Sequence, residues 1–474
     1  MWRGVPVYAF LLIAAMGMFA AVRHFGEQLV APQAIETTVA ATKQAQDEPS
    51  QPLFHLLLAL TTVIAAGRTL GMIFRYVGQP PVIGEVIAGI LLGPSLLGWI
   101  APQAYEFILP DSVAPLLGTI AQLGVVLYMF CVGLELDHGC LKHRGHAAVA
   151  ISNASIVAPF ILGSVLALFL YSRLSSQEVS FTVFALFMGV AMSITAFPVL
   201  ARILSDRGLT STPIGTVALT CAAINDVTGW CLLAFVVSVT QAQLSNFVTV
   251  IGLSLAYIAL MFFAVRPAWH WLMRQPVMRR PTPTRLAIVL TAVLLSALTT
   301  EWIGIHAIFG AFLLGAIIPH NSRIAKELAA KLEDVVVVLL LPAFFAFTGM
   351  RTQIGLVSGL ENWLWCGLIV VVASLGKFGG TFAAARAMGL GWKESSSLGA
   401  LMNTRGLMEL IVLNIGLDLG VISPTLFAMM VVMALVTTLA TSPVLWLLGV
   451  ESAKEPSNSD AAQPEITGAA RDAG

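Results

Sequence analysis

The chain has 474 residues, of which 58% are hydrophobic and only 11% charged, with 25 basic side chains against 25 acidic ones. A soluble chain carries about a quarter charged residues, so there is too little polar surface to clothe a soluble fold of this length, and the even charge balance argues against a nucleic-acid partner. A mean hydropathy of +0.88 completes the expectation of an all-α polytopic membrane protein.

Taken in chain order, residues 1–22 combine a basic start with an apolar run over 5–22. They read as a signal peptide or an extra transmembrane helix, and the absence of a small-x-small cleavage site favours the helix. Residues 23–52 form a polar segment expected outside the membrane. From residue 53 onward, thirteen apolar runs are long enough to cross a bilayer as helices. They are 53–74, 81–99, 113–135, 146–171, 179–201, 211–239, 246–265, 285–303, 305–320, 332–350, 362–385, 394–416 and 423–448. The transmembrane domain is thus 53–448, with no room between runs for a soluble domain. Residues 449–474, rich in Ala, Ser, Asp and Glu, read as a disordered tail. The five cysteines, Cys131, Cys140, Cys221, Cys231 and Cys366, show no CxxC spacing and nearly all lie in apolar runs. They read as small core residues.

Lysine and arginine in the loops set orientation. With the first run starting outside, one set of alternate loops holds Arg75, Lys142, Arg144, Arg207, Arg266, Arg274, Arg279, Arg280, Arg285, Arg323, Lys326, Lys331, Arg386 and Lys393. The opposite set holds Arg23, Lys43, Arg173 and Arg351. The richer set is expected inside, which places 23–52 outside and the tail in the cytoplasm.

Charges inside the apolar runs are the functional candidates, because a charged group at the bilayer centre costs at least about 2.5–3.5 kcal/mol. Asp226 lies near the midpoint of 211–239, with Ala222, Ala223, Gly229 and Trp230 three or four residues away. Lys377 is similarly ringed by Ala373, Ser374, Gly380 and Thr381. A lone buried lysine should lose its proton or find a carboxylate, and Asp226 is the natural partner; the alternative is a purely structural ion pair between helices. Arg405 and Glu409 are four apart and share a helix face only if the helix continues through Gly406. A break there would free backbone groups to line a cavity. A second break is expected at 193–198, where Pro198 removes a donor and Ser193 and Thr195 offer hydroxyls. Glu85 follows a Pro-Pro turn and reads as a helix-entrance or packing residue. His306 is expected to anchor a helix start, and His138, His143, His146 and His320 to lie near the inner surface. The chain holds no P-loop, dinucleotide fingerprint, HExxH or nucleophile elbow, so nothing points to an enzyme, a cofactor or a bound metal.

The order of these features is mirrored. A broken run (179–201) precedes one with a central acid (211–239), and a run with a central base (362–385) precedes a broken one (394–416). That is the expectation for inverted repeats with a midplane site between two broken, crossing helices.

Six stretches carry a family resemblance: GQPPVIGEVIAGILLGPSLLG at 78–98, LGVVLYMFCVGLELD at 123–137, AMSITAFPVLARIL at 191–204, AAINDVTGW at 222–230, GIHAIFGAFLLGAIIP at 304–319 and MNTRGLMELIVLNIGL at 402–417. Together and in this order they resemble the monovalent cation:proton antiporters of the sodium/hydrogen exchanger superfamily, the plant cation/H+ exchangers in particular. The resemblance implies an ion-translocating core against a scaffold that dimerises, working by alternating access; the outside start and the acid-rich tail inside fit a cell's inner (plasma) membrane. It implies that Asp226, beside Asn225, binds Na+ or K+ and H+ in turn, with Ser193 and Thr195 at the unwound helix and Lys377, Arg405 and Glu409 as charge partners. Arg405 stands where the plant subgroup has lysine. A potassium efflux channel-like protein and a non-transporting sensor are the alternatives; the second predicts a degenerate site, which these residues do not form.

Overall fold

The computed structural model describes residues 5–32, 52–135, 145–175, 179–210, 212–241, 247–274, 282–318 and 323–450. The expectations for His138, His143, His320, Cys140, most of 23–52 and nearly all of the tail therefore lie outside the described residues, as does the side chain of His146. What is described is helical, apart from an isolated bridge between Ser175 and Ile422.

In chain order the main helices are α1 (Val5–Gly26), α2 (Pro52–Tyr76), α3 (Pro81–Leu92), α4 (Ala114–Glu135), α5 (Gly145–Leu174), α6 (Phe181–Ser193), α7 (Phe197–Asp206), α8 (Pro213–Gln241) and α9 (Phe247–Leu260). There follow α10 (Thr282–Ile303), α11 (Ala307–Ile317), α12 (Arg323–Val335), α13 (Leu341–Arg351), α14 (Gly359–Ser374), α15 (Gly380–Ala387), α16 (Trp392–Met402), α17 (Leu407–Asp418) and α18 (Pro424–Leu447). Several begin on proline, whose missing N–H costs nothing in the first turn, as at Pro52, Pro81, Pro213 and Pro424. Ser180 and Ser423 accept the N–H of the residue three further on, capping α6 and α18.

Eleven described helical spans are long and apolar enough to cross a membrane. The expected thirteen are not reached by that measure, for two local reasons. The run at 305–320 yields only the 11-residue α11, and 394–416 is divided into α16 and α17 by an unwound stretch. The 179–201 run is also divided, at 194–196, into α6 and α7. Both expected breaks are present. Cys131, Cys221 and Cys366 are buried as expected, but Cys231 lies on the exposed apolar face of α8, since only one side of that helix faces protein. α1 packs on α5, with Val22 buried and Phe19 against Phe160 at 5.9 Å between ring centroids.

The helices pack as two groups. α2, α3, α4, α10, α11 and α13 lie against one another, and α5, α6, α7, α8 and α14 to α18 form the second set. In a lipid environment close packing replaces the hydrophobic effect between helices, so small residues mark the contacts. A Cβ on Gly133 would sit 2.3 Å from the Phe312 carbonyl, and one on Gly315 2.3 Å from that of Phe130. The α4–α11 contact is therefore backbone against backbone and cannot yield to a side-chain shift. Gly133→Ala is expected to destabilise the protein by about 1–3 kcal/mol, seen as a lower Tm of the purified protein in detergent; an unchanged Tm would show that the two helices can separate freely.

Candidate ion-binding site

The unwound stretches between α6 and α7 and between α16 and α17 cross at the centre of the second group. Ala196 N–H donates to the Thr404 carbonyl at 3.1 Å, and Thr195 Oγ1 to the Met402 carbonyl at 3.0 Å. Each break thus satisfies part of the other's exposed backbone, as buried peptide groups require. Thr438 on α18 serves the second break from behind: its Oγ1 accepts the Arg405 N–H at 2.9 Å and donates to the Arg405 carbonyl at 2.7 Å.

A helix that stops in the interior leaves its last carbonyls without donors. At the end of α6 two buried cations supply them. Arg405 donates from Nη1 to the Ala191 carbonyl at 2.9 Å and from Nη2 to that of Met192 at 2.7 Å. Lys377 Nζ donates to the Ser193 carbonyl and to that of Ser155 at 3.0 Å. The Ser155 carbonyl is available for a specific reason. Pro159 lies inside α5, four residues on, and its missing N–H leaves that carbonyl unpaired. Lys377 itself sits in a π-helical turn, Leu375–Gly379, joining α14 to α15. Such turns recur at functional sites.

The two carboxylates occupy the opposite helix ends. Glu409 lies in the first turn of α17 and pairs with Arg405 at 3.0 Å, both side chains fully buried; Arg405 Nε and Glu409 Oε1 have no partner. Asp226, in the middle of α8, is turned towards the start of α7, where the Phe197 N–H faces it without closing a hydrogen bond of normal geometry. Both of its oxygens are buried and without a hydrogen-bond partner. Cations at helix C-termini and anions at N-termini are the arrangement the helix dipole favours.

Asn225, beside Asp226, is structural in its contacts. Its Oδ1 accepts the Thr195 N–H at 3.2 Å and its Nδ2 donates to Ser155 Oγ at 3.0 Å, so it ties α8 to the first break and to α5. Ser193 Oγ donates to the carbonyls of Gly189 and Ile156, at 2.6 and 3.0 Å. Gly229, three residues on from Asp226, faces Ile194 of the break, 3.4 Å from where a Cβ would be.

All seven expected site residues therefore meet at the crossing. One expected pairing does not form: Lys377 bonds to the two carbonyls and not to Asp226, because the end of α6 and the proline-freed carbonyl of α5 offer it acceptors. Sequence reasoning also missed Ser155 and Pro159, whose signal was a proline inside an apolar run. His306 does not anchor α11 by its side chain. The first N–H of that helix, Ala307, is instead accepted by Glu301 Oε2 at 2.8 Å.

Two cavities flank the site. One of about 500 Å³ is lined by Arg68, Arg75, Glu85, Arg202 and Glu333 and ends at Pro198 and Leu407, in the first turns of α7 and α17. Glu85, buried, stands 3.7 Å from Arg68 there, so it faces the cavity as well as packing α3. The other, about 30 Å³, is lined by His306, Phe344, Phe347, Asn414 and Asp418. Each of α4, α13 and α17 contributes residues to both, at different levels along the helix: Val132 and Ala121, Leu341 and Phe347, Leu407 and Asp418.

A sequence model of the family described as the sodium/hydrogen exchanger, transmembrane, matches residues 56–447. The chain belongs to that family. Among sodium/hydrogen exchanger relatives, it is 46% identical to Na(+)/H(+) antiporter NhaS4 of Synechocystis sp. over 83% of this chain and 97% of that one. It is 39% identical to Cation/H(+) antiporter 20 of Arabidopsis thaliana, over 84% of this chain and 49% of that one. With K(+)/H(+) antiporter 1 of Saccharomyces cerevisiae the identity is 33%, over 86% and 48%. The chain thus spans nearly all of the first relative and about half the length of the other two. Its fold is similar to the sodium proton antiporter MjNhaP1 from Methanocaldococcus jannaschii, with a TM-score of 0.62 at 15% identity, covering 85% of this chain and 100% of that one. The six stretches that resembled the family all fall within the matched residues. The chain is accordingly a multi-pass membrane protein of a family of cation/proton antiporters.

Proposed function

We propose that this sodium/hydrogen exchanger moves Na+ or K+ in one direction and H+ in the other, with Asp226 binding cation and proton in turn. One observation carries the reading: a fully buried carboxylate at the centre of a membrane helix leaves both oxygens unpartnered beside the N-terminus of a half-helix. Such a group is costly unless a ligand completes it. The neighbouring carbonyls are held by Lys377 and Arg405 and Glu409 is paired with Arg405, so the carboxylate with both oxygens open at the crossing is Asp226. One carboxylate holds a proton or a monovalent cation but not both, and that exclusion couples the two flows.

The unequal cavities support alternating access. The large one reaches Pro198, adjacent to the Phe197 amide that faces Asp226, while the opposite side is nearly closed. The charge bias of the loops favours Arg75, which lines the large cavity, on the cytoplasmic side of an inner (plasma) membrane, so this conformation opens inward, with 23–52 outside and the tail inside. A rocking of the second helix group against the first, which would also carry a homodimer contact, reverses the access. The relatives' names divide between Na+ and K+, and the ion is therefore best found by measurement. Protein in liposomes holding a pH-sensitive dye is expected to move protons when Na+ or K+ is added across an imposed pH gradient, and the more effective ion names the substrate. Folded protein that responds to neither ion would overturn the proposal.

A further inference from the structure

The small cavity is closed by a network that the transport reading does not use. Arg351, the last residue of α13, pairs through Nη2 with Asp418 Oδ1 at 2.6 Å and donates from Nη1 to Asn414 Oδ1 at 3.1 Å. The buried Asn414 returns a bond from Nδ2 to Thr348 Oγ1 at 2.9 Å, and the guanidinium lies over the Phe347 ring at 5.1 Å. Asn414 and Asp418 belong to α17; Thr348, Phe347 and Arg351 belong to α13.

Those two helices sit in different groups. α13 packs on α3 and α4, whereas α17 packs on α6 and α18. The opposite end of α17 carries Glu409 and follows Arg405, so the helix that helps build the ion site is tied at its far end, roughly 16 Å away at 1.5 Å per residue, to the other group. Neither group can shift against the other at that end while these bonds hold.

We propose that Arg351–Asp418, with Asn414–Thr348 beneath it, is a latch that closes the side of the protein opposite the large cavity and must break whenever the site faces that side. The inference rests on the antiporter reading for its role in a cycle, but the contact itself is testable without transport. Val125 is buried and lines the small cavity, which makes Val125→Cys a reporter for a membrane-impermeant maleimide applied from that side, counted above the labelling of the same protein without it. Asp418→Asn and Arg351→Gln are each expected to raise the labelling rate roughly three- to fivefold, the span of a partly exposed ion pair. The charge-swapped pair, Arg351→Asp with Asp418→Arg, should bring it back towards the starting rate, which a merely structural defect would not do. Thr348→Val removes only the buried contact and should act in the same direction, which keeps the test open if a charged variant misfolds. Unchanged labelling in the folded single variants, or a swap that stays as open as they are, overturns the latch. Because labelling needs no ion gradient, an absence of transport in the parent would count against the antiporter reading and leave this result standing.

Discussion

Asp226→Asn is expected to reduce cation-driven proton movement in liposomes to the level of protein-free vesicles. The substitution keeps the shape of the side chain and removes the one property the proposed cycle depends on. An amide neither takes up and releases a proton at working pH nor balances the charge of a bound cation. No other described carboxylate can take over at the crossing, since Glu409 is paired with Arg405 and Glu85 lies in the cavity wall beside Arg68. The same variant should fold at least as well as the parent. Neither oxygen of Asp226 closes a hydrogen bond of normal geometry, so little is lost, and the cost of an incompletely compensated buried charge is removed. The pair of measurements separates function from stability: transport falls to background while Tm holds or rises. Retained exchange would remove Asp226 from the mechanism, and a large fall in Tm would recast it as a structural ion.

Arg405→Met is expected to be the most damaging change to the fold, costing about 3–5 kcal/mol through the loss of one partner of a buried pair. Three groups depend on that guanidinium: Glu409 and the carbonyls of Ala191 and Met192. Methionine fills the volume and serves none of them. Glu409→Gln should cost less, because Arg405 keeps both carbonyls and an amide oxygen replaces the carboxylate as its third acceptor. Adding Glu409→Leu to Arg405→Met should recover part of the loss but not all, as the carbonyls at the end of α6 stay bare. Arg405→Lys keeps the charge without the fork that reaches several acceptors at once, so it should fall between parent and methionine variant. Thermal unfolding of the four proteins ranks them, and an Arg405→Met protein as stable as Glu409→Gln would show that water replaces the guanidinium.

The residues of the site could be picked out because each breaks a local rule. Asp226, Lys377, Arg405 and Glu409 are charges in apolar runs, and Pro198 and Gly406 interrupt helices that otherwise have every reason to continue. Ser193 and Thr195 stood out by adjacency to the first break, and Asn225 by the family resemblance, as the neighbour of Asp226. Glu85 was ambiguous because a charge near a helix end has an ordinary surface explanation; only the packing of α2 against α3 turns it into a cavity wall. Arg351, Asn414 and Asp418 carried no signal, since polar residues near the ends of membrane helices are what a chain crossing a bilayer needs anyway.

Class, family, breaks and the list of buried charges are all legible along the chain. Those follow from the cost of exposing peptide groups and charges to hydrocarbon, a cost paid residue by residue and so readable in order along the chain. Tertiary structure decided who meets whom. Lys377 turns to the carbonyls of Ser193 and Ser155 and leaves Asp226 open, because Pro159, 218 positions earlier in the chain, frees one acceptor and the end of α6 exposes the other. Which side of the site is open, and what holds the other side shut, were likewise decided by contacts between helices distant in sequence. Hydrogen-bond competition at a crossing depends on directions and distances of a few ångströms, and no pattern of residue types along a chain encodes them.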